Sequence, residues 1–316
     1  MHIPDGFLDG KTMVTGAVLS GCALGLSVRQ LRRRLPRRRV PLMGLAAAFV
    51  FAAQMLNFPI AGGTSGHLLG SVLIAVLLGP GAAVLVLTAV LIVQCLVFAD
   101  GGLLSLGANI FNMGVVGGVG GYAIYRVVQK LAGGLRGVIM GAAFAAWCSA
   151  VLAAVLAAGE LALSGTAPWT IVFPAMVNVH LLIGLGEAAI TVLVVVAIQR
   201  TRPDLVDPSA PASGPLSYRQ VAAYGLLISL GLALFVSPFA CAWPDGLERV
   251  AETLGFAHRA AAAPLAAAPL AEYRLSWVRS APLATSFAGA IGTVLVFLLA
   301  FVTARVLIPR TRTEPR

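Results

Sequence analysis

The chain is poor in charge, and poorest in acid. Only 11% of its 316 residues are charged, and 12 acids face 22 basic residues. Soluble domains carry about 25% charged residues, so a fully solvated globular surface is excluded. Cysteine is scarce too. Cys22, Cys95 and Cys148 sit inside apolar runs as small packing groups, and Cys241 has no obvious partner. Cys-x-x-Cys and His-Glu-x-x-His are both missing, so thiol-redox and zinc-protease chemistry have no support. There is no Walker A motif, so this chain does not hydrolyse ATP itself. There is no internal repeat. Only one base, Lys11, precedes the first apolar stretch, against Asp5 and Asp9, and no small-residue cleavage site follows it, so the signal-peptide pattern is absent and Met1 is expected to be retained.

What is abundant is apolar residue, 59% of the chain. It comes in runs near the length of about 20 residues that spans a hydrocarbon core. Nine such runs are read: 13–28, 41–58, 67–79, 82–98, 108–128, 137–158, 176–198, 219–237 and 285–308. The third is short and Gly-flanked, as a tilted or partly re-entrant segment would be. Their lengths and lack of alternation predict an all-α integral membrane protein rather than a β-barrel. Placing the N-terminus outside puts 17 of the 22 basic residues inside, and Asp5, Asp9, Asp100, Glu160, Asp245, Glu248, Glu252 and Glu272 outside. Nine helices, N-out and C-in, satisfy the positive-inside rule at every short loop. The net charge of +10 therefore reads as topology. The arginine run at 32–39 reads as a stop-transfer and lipid-headgroup anchor, not as a nucleic-acid patch.

Three parts follow. Residues 1–202 form one apolar block. Residues 203–217 are rich in Pro, Ser and Ala and read as a linker. Residues 218–316 hold two further helices around an outside loop at about 238–284, in which Asp245 to Gly255 can form a short amphipathic helix.

The chemistry sits in polar residues at apolar depth. A retained Met1 leaves an amine one peptide bond from His2. The amine, the deprotonated His2 amide and the His2 imidazole can close two fused chelate rings on one metal ion. Tetragonal nitrogen sites suit Ni(II) and Cu(II) better than Zn(II). The alternative is a solvated N-terminal histidine. The second run ends Gln54-Met55-Leu56-Asn57-Phe58-Pro59, and the loop Gly62-Gly63-Thr64-Ser65-Gly66-His67 follows. In the N-out topology this loop lies beside the N-terminus. His67 is then a sensible fourth nitrogen ligand, or simply a histidine packed at a helix start, with Thr64 or Ser65 as cap. Asp100 is a candidate to support the site from behind its ligands. Asn109 and Asn112 share a helical face and are candidates for the same role or for interhelix bonding. His180 and Glu187, seven residues apart, also share a face. An ionisable residue inside a span faces a cavity or a partner, and both are read as support or gating residues rather than ligands.

These residues carry a resemblance. MHIPDGFL at 1–8, GGTSGHL at 62–68, FADGGLLSLGANIFNMG at 98–114 and HLLIGLGEAAIT at 180–191 together resemble the CbiM/NikM family. Its members are substrate-binding (S) components of energy-coupling-factor transporters for cobalt and nickel. The PDGLE segment at 244–248 and PLAEY at 269–273 resemble the small two-helix companion of such systems, so the chain looks like a fusion of the two. The resemblance implies that Met1, His2 and His67 hold Ni2+ or Co2+ as transported substrate; Asn57, Ser65, Asp100, Asn109, His180 and Glu187 are candidates, from their positions in the chain, for supporting or gating the site. It implies no organic cofactor. It implies a transmembrane coupling (T) subunit and two cytoplasmic ATPase subunits as partners in a prokaryotic cell membrane. Pro4 stands where many relatives have another residue; it stiffens the N-terminal turn without removing a ligand. A self-sufficient secondary permease using Glu187 is the competing reading. An enzyme would need an open metal position beside a base, and a closed nitrogen set offers none.

Overall fold

The computed structural model describes residues 1–206, 216–261, 263 and 265–308. The central residues of the expected linker, 207–215, and the arginines at 310, 312 and 316 lie outside the described residues. Each of the nine expected runs overlaps helix among the described residues, although the third is helical only over Ser71–Leu78 and the helix of the second ends at Gln54. Apolar runs of this length favour helix because a helix satisfies its backbone groups internally where no water can. Six helices among the described residues are long and apolar enough to cross a membrane.

α1 (Gly10–Arg34) starts at Asp9, whose carboxylate accepts from the Thr12 N–H at 2.9 Å. It ends in Arg32, Arg33 and Arg34, cations placed at the negative end of the helix dipole. α2 (Val40–Gln54) leads into a hairpin of β1 (Phe58–Ile60) and β2 (Thr64–Gly66), paired Phe58 to Gly66. Gly62 and Gly63 turn the hairpin at φ 81° and 70°, a region side chains rarely enter. α3 (Ser71–Leu78) and α4 (Pro80–Phe98) are joined at Gly79. α5 (Leu106–Asn109) runs on through a wide π-type segment, Ile110–Gly120, into α6 (Gly121–Ala132). α7 (Gly134–Leu163) buries Ala142, Ala146, Ala150 and Ala154, a stripe of small residues four apart. That stripe allows close packing against α8 (Trp169–Thr201).

The C-terminal part comprises α9 (Tyr218–Gly231), α10 (Gly246–Leu254) and α11 (Ala281–Leu307). It is not a separate body. α11 lies along α2 and α4, and a Cβ on its Gly292 would stand 2.3 Å from the Phe51 ring and 2.6 Å from the Phe98 ring. Only glycine fits there.

One boundary differs from expectation. His67 does not open the third helix, and neither Thr64 nor Ser65 caps it. The helix begins at Ser71 behind Gly70 at φ 77°. The free N–H groups of Leu69 and Gly70 go to the carboxylate of Glu187, at 2.5 and 2.9 Å. A buried acid from α8 thus holds the two residues before α3, which has no side-chain cap, and His67 stays in a loop.

Candidate metal centre

The N-terminal octapeptide folds back into the bundle instead of trailing from it. The Ile3 N–H donates to Asn109 Oδ1 at 2.8 Å, and Asn109 Nδ2 donates to the Ile3 carbonyl at 3.0 Å. The Gly102 N–H donates to the same carbonyl at 2.9 Å. Asp5 accepts from three successive backbone N–H groups, of Leu103, Leu104 and Ser105, at 2.9, 2.9 and 3.1 Å. A carboxylate bound by that many amides is fixed in place. The Phe7 carbonyl accepts from the Thr166 hydroxyl, and the Phe7 ring meets Phe256 edge-on at 5.2 Å. Every second or third residue is thus pinned, and Met1 is left 6% exposed.

This threading brings the Met1 amine to 2.7 Å from His67 Nε2. His67 Nδ1 lies 3.1 Å from the Leu68 carbonyl. A carbonyl can only accept, so Nδ1 carries the hydrogen and the Nε2 lone pair faces the amine. Burial, and then the neighbouring amine charge, push His67 below the usual histidine value, which keeps that lone pair free. Metal–nitrogen bonds of about 2.0 Å place adjacent nitrogens of a planar site about 2.8 Å apart. The amine and His67 already have that spacing.

His2 stacks on His67, ring centroids 5.3 Å apart and 11° from parallel. A chelate through the His2 amide would close a six-membered ring through Nδ1. In this structure Nδ1 is turned to Asp100, 3.0 Å away, and Nε2 is buried without a hydrogen-bond partner. Burial alone would raise the Asp100 pKa, but His2 and the Tyr273 hydroxyl outweigh it and hold the group well below the usual range. Tyr273 donates to the second Asp100 oxygen at 2.5 Å.

The remaining expected residues fall into place unevenly. Asn109 clamps Ile3 and so positions Met1 and His2. Ser65 binds the C-terminal part: its hydroxyl donates to the Trp243 carbonyl at 2.7 Å and its N–H to the Pro244 carbonyl at 2.9 Å. Asn57 contributes its backbone carbonyl, which accepts from the Cys241 N–H at 2.9 Å. Glu187 holds the loop after His67. His180 is tied through Nδ1 to the Met176 carbonyl at 2.8 Å, and its Nε2 is buried without a partner. Met1, His67, His180, Glu187 and Asp245 line one cavity of about 20 Å³. That is room for one water or one ion.

Sequence reasoning missed Asp245. Its Oδ2 is 2.5 Å from the Met1 amine and 3.8 Å from His67 Nε2. Burial would raise its pKa, but the amine charge and His67 outweigh it and keep it ionised. The signal was present in the Pro-Asp-Gly-Leu-Glu string. Asp245 caps α10, with Glu248 answering three residues on, so its backbone position was legible although its partner was not. Among the described residues, no group of three His, Cys, Asp or Glu is arranged to hold a metal ion.

The model of the CbiM family, described as the cobalt uptake substrate-specific transmembrane region, matches residues 2–205. The chain belongs to the CbiM family. The PDGLE domain model matches residues 219–309. A fused nickel transport protein NikMN of Rhodobacter capsulatus is 34% identical over 331 residues, covering 94% of this chain and 95% of that one. A chain of Archaeoglobus fulgidus carrying the same NikMN designation is 37% identical over 308 residues, 96% of this chain and 98% of its own. A crystal structure described as a truncated transition metal transporter is 35% identical, with a TM-score of 0.58, over 63% of this chain and 99% of that one. With six apolar helices of membrane-crossing length, this CbiM-family chain is a multi-pass membrane protein.

Proposed function

We propose that this chain is the substrate-binding subunit of an ATP-driven energy-coupling-factor transporter that imports nickel or cobalt. The observation that carries the reading is the 2.7 Å approach of the Met1 amine to His67 Nε2, with His2 stacked beside them. The ion is held by the amine, the His2 amide and Nδ1, and His67 Nε2, with Asp100, Asn109, His180 and Glu187 supporting them. Closing the chelate turns His2 Nδ1 from Asp100 to the ion and releases the amide proton, so affinity falls as pH falls. Planarity favours nickel over cobalt; copper binds such a set in vitro by the Irving–Williams order. In this reading the chain crosses the membrane nine times with its N-terminus outside and its C-terminus inside, and the site opens to the outer face. Residues 1–202 are the metal-binding domain, 203–217 the linker and 218–316 the companion domain. A coupling subunit and two ATPase subunits supply the energy.

A self-sufficient permease is the second reading. It needs a carboxylate free to move protons or ions, and Glu187 is committed to two backbone N–H groups. The two readings separate by measuring nickel uptake in cells carrying this chain alone and with its coupling and ATPase subunits. We expect uptake at least tenfold above background only in the complete system, lost when the ATPase Walker lysine is replaced. Equal uptake by the chain alone would establish the permease.

A further inference from the structure

At the end of the bundle away from the metal centre, the two parts of the chain enclose a second pocket. α2 begins there at Val40, α9 begins there at Tyr218 and α11 ends there at Leu307. The pocket is open, about 380 Å³, and is walled by Arg37, Arg38, Tyr218, Arg219, Phe301 and Arg305. Arg37 and Arg38 come from the turn before α2, and Arg219 and Arg305 from the C-terminal part. Arg38 stands over the Tyr218 ring and Arg305 over the Phe301 ring, each 5.8 Å from the ring centroid. Arg39 and Arg202 crowd the same tyrosine, at 5.7 and 5.0 Å. The nearby carboxylate of Asp204 is already taken. Arg202 donates to both of its oxygens, at 2.8 and 2.9 Å, and the Tyr218 hydroxyl donates to it at 3.2 Å. Among the described residues, none of the four arginines in the wall is in an ion pair.

We propose that this pocket binds the phosphate of an anionic phospholipid headgroup and so ties the two parts of the chain together at the membrane edge. Crowded like charges repel and loosen a compact structure, and a phosphate set among them reverses that. Guanidinium forks match phosphate oxygens two at a time. A free phosphate offers the same chemistry, but the surroundings favour a lipid. The pocket opens at the ends of α9 and α11, both long and apolar enough to cross a membrane. On α11, Leu298, Val302 and Val306 are exposed at a spacing of four, an apolar stripe beside Arg305 along which an acyl chain can lie. In the orientation proposed above, this end meets the cytoplasmic leaflet, whose negative surface attracts basic residues. Metal binding plays no part in the site.

The test is binding of phosphatidylglycerol to the detergent-purified full chain, read as retained lipid by native mass spectrometry and as a rise in thermal midpoint. Phosphatidylcholine and inorganic phosphate are the comparison probes. The variants are Arg37→Gln, Arg219→Gln, their double, and Arg305→Gln as a third position on a separate helix. Arg126→Gln, at an exposed arginine outside the pocket, is the control. Each is first matched to the parent by circular dichroism. We expect the parent to hold phosphatidylglycerol at least tenfold more tightly than phosphatidylcholine. Each pocket variant should weaken it about fivefold, and the double variant about 25-fold, with Arg126→Gln within twofold of the parent. Binding within twofold of the parent in the double variant would overturn the proposal, as would equal binding of the two lipids. Inorganic phosphate raising the midpoint as much as phosphatidylglycerol at equal concentration would also overturn it, in favour of a soluble-anion site. So would loss of co-purifying coupling subunit in the double variant with lipid binding unchanged, which would make the pocket a protein contact.

Discussion

Adding two or three residues before Met1 should abolish tight nickel and cobalt binding. The parent chain, tagged only at its C-terminus, should bind one ion, and the extended chain should lose affinity by on the order of 1,000-fold. Extension turns the primary amine into an amide and breaks one chelate ring. It also inserts bulk where the amine approaches His67 to 2.7 Å and Asp245 to 2.5 Å, in a cavity of about 20 Å³. The helices should be unaffected, because the pins on Ile3 and Asp5 lie downstream of the added residues. Isothermal titration of both forms gives the answer. Equal affinities would mean that the amine is not a ligand.

Glu187→Ala should cause the largest loss of stability of any single change near the site. Glu187 is fully buried and is the recorded partner of two backbone N–H groups. Each buried donor left unsatisfied costs about 1–3 kcal/mol, and removing the side chain opens a cavity besides. The thermal midpoint in detergent should fall by on the order of 10 °C. Metal affinity should fall with it, since the loop these bonds hold begins two residues after His67. Glu187→Gln keeps one acceptor oxygen and should lose about half as much. A midpoint unchanged in Glu187→Ala would show that the loop is held by other means.

The helices were legible because apolar runs of membrane length permit little else. Their ends were less so. α3 starts at Ser71 rather than at 67, and the loop before it is held by an acid 118 positions from Leu69, a partner no local pattern announces. His67, Asp100 and Asn109 could be picked out as polar groups in apolar surroundings. What Asn109 does was not visible, since it depends on the N-terminal segment folding back between α4 and α5. Asp245 shows the same limit more sharply. Its cap of α10 is a local signature, but its partner is the amine 244 positions away. Tyr273 had no signature at all. Its role comes from meeting Asp100 across the contact between the two parts, and contacts of that kind carry no periodicity.

The central claim is a planar nitrogen site built on the first two residues and His67. X-ray absorption at the nickel edge of the loaded chain tests it most directly. The account predicts four nitrogen neighbours at about 2.0 Å in a square-planar arrangement. Six neighbours dominated by oxygen would contradict it, and would move the ion to the carboxylates of Asp100 and Asp245.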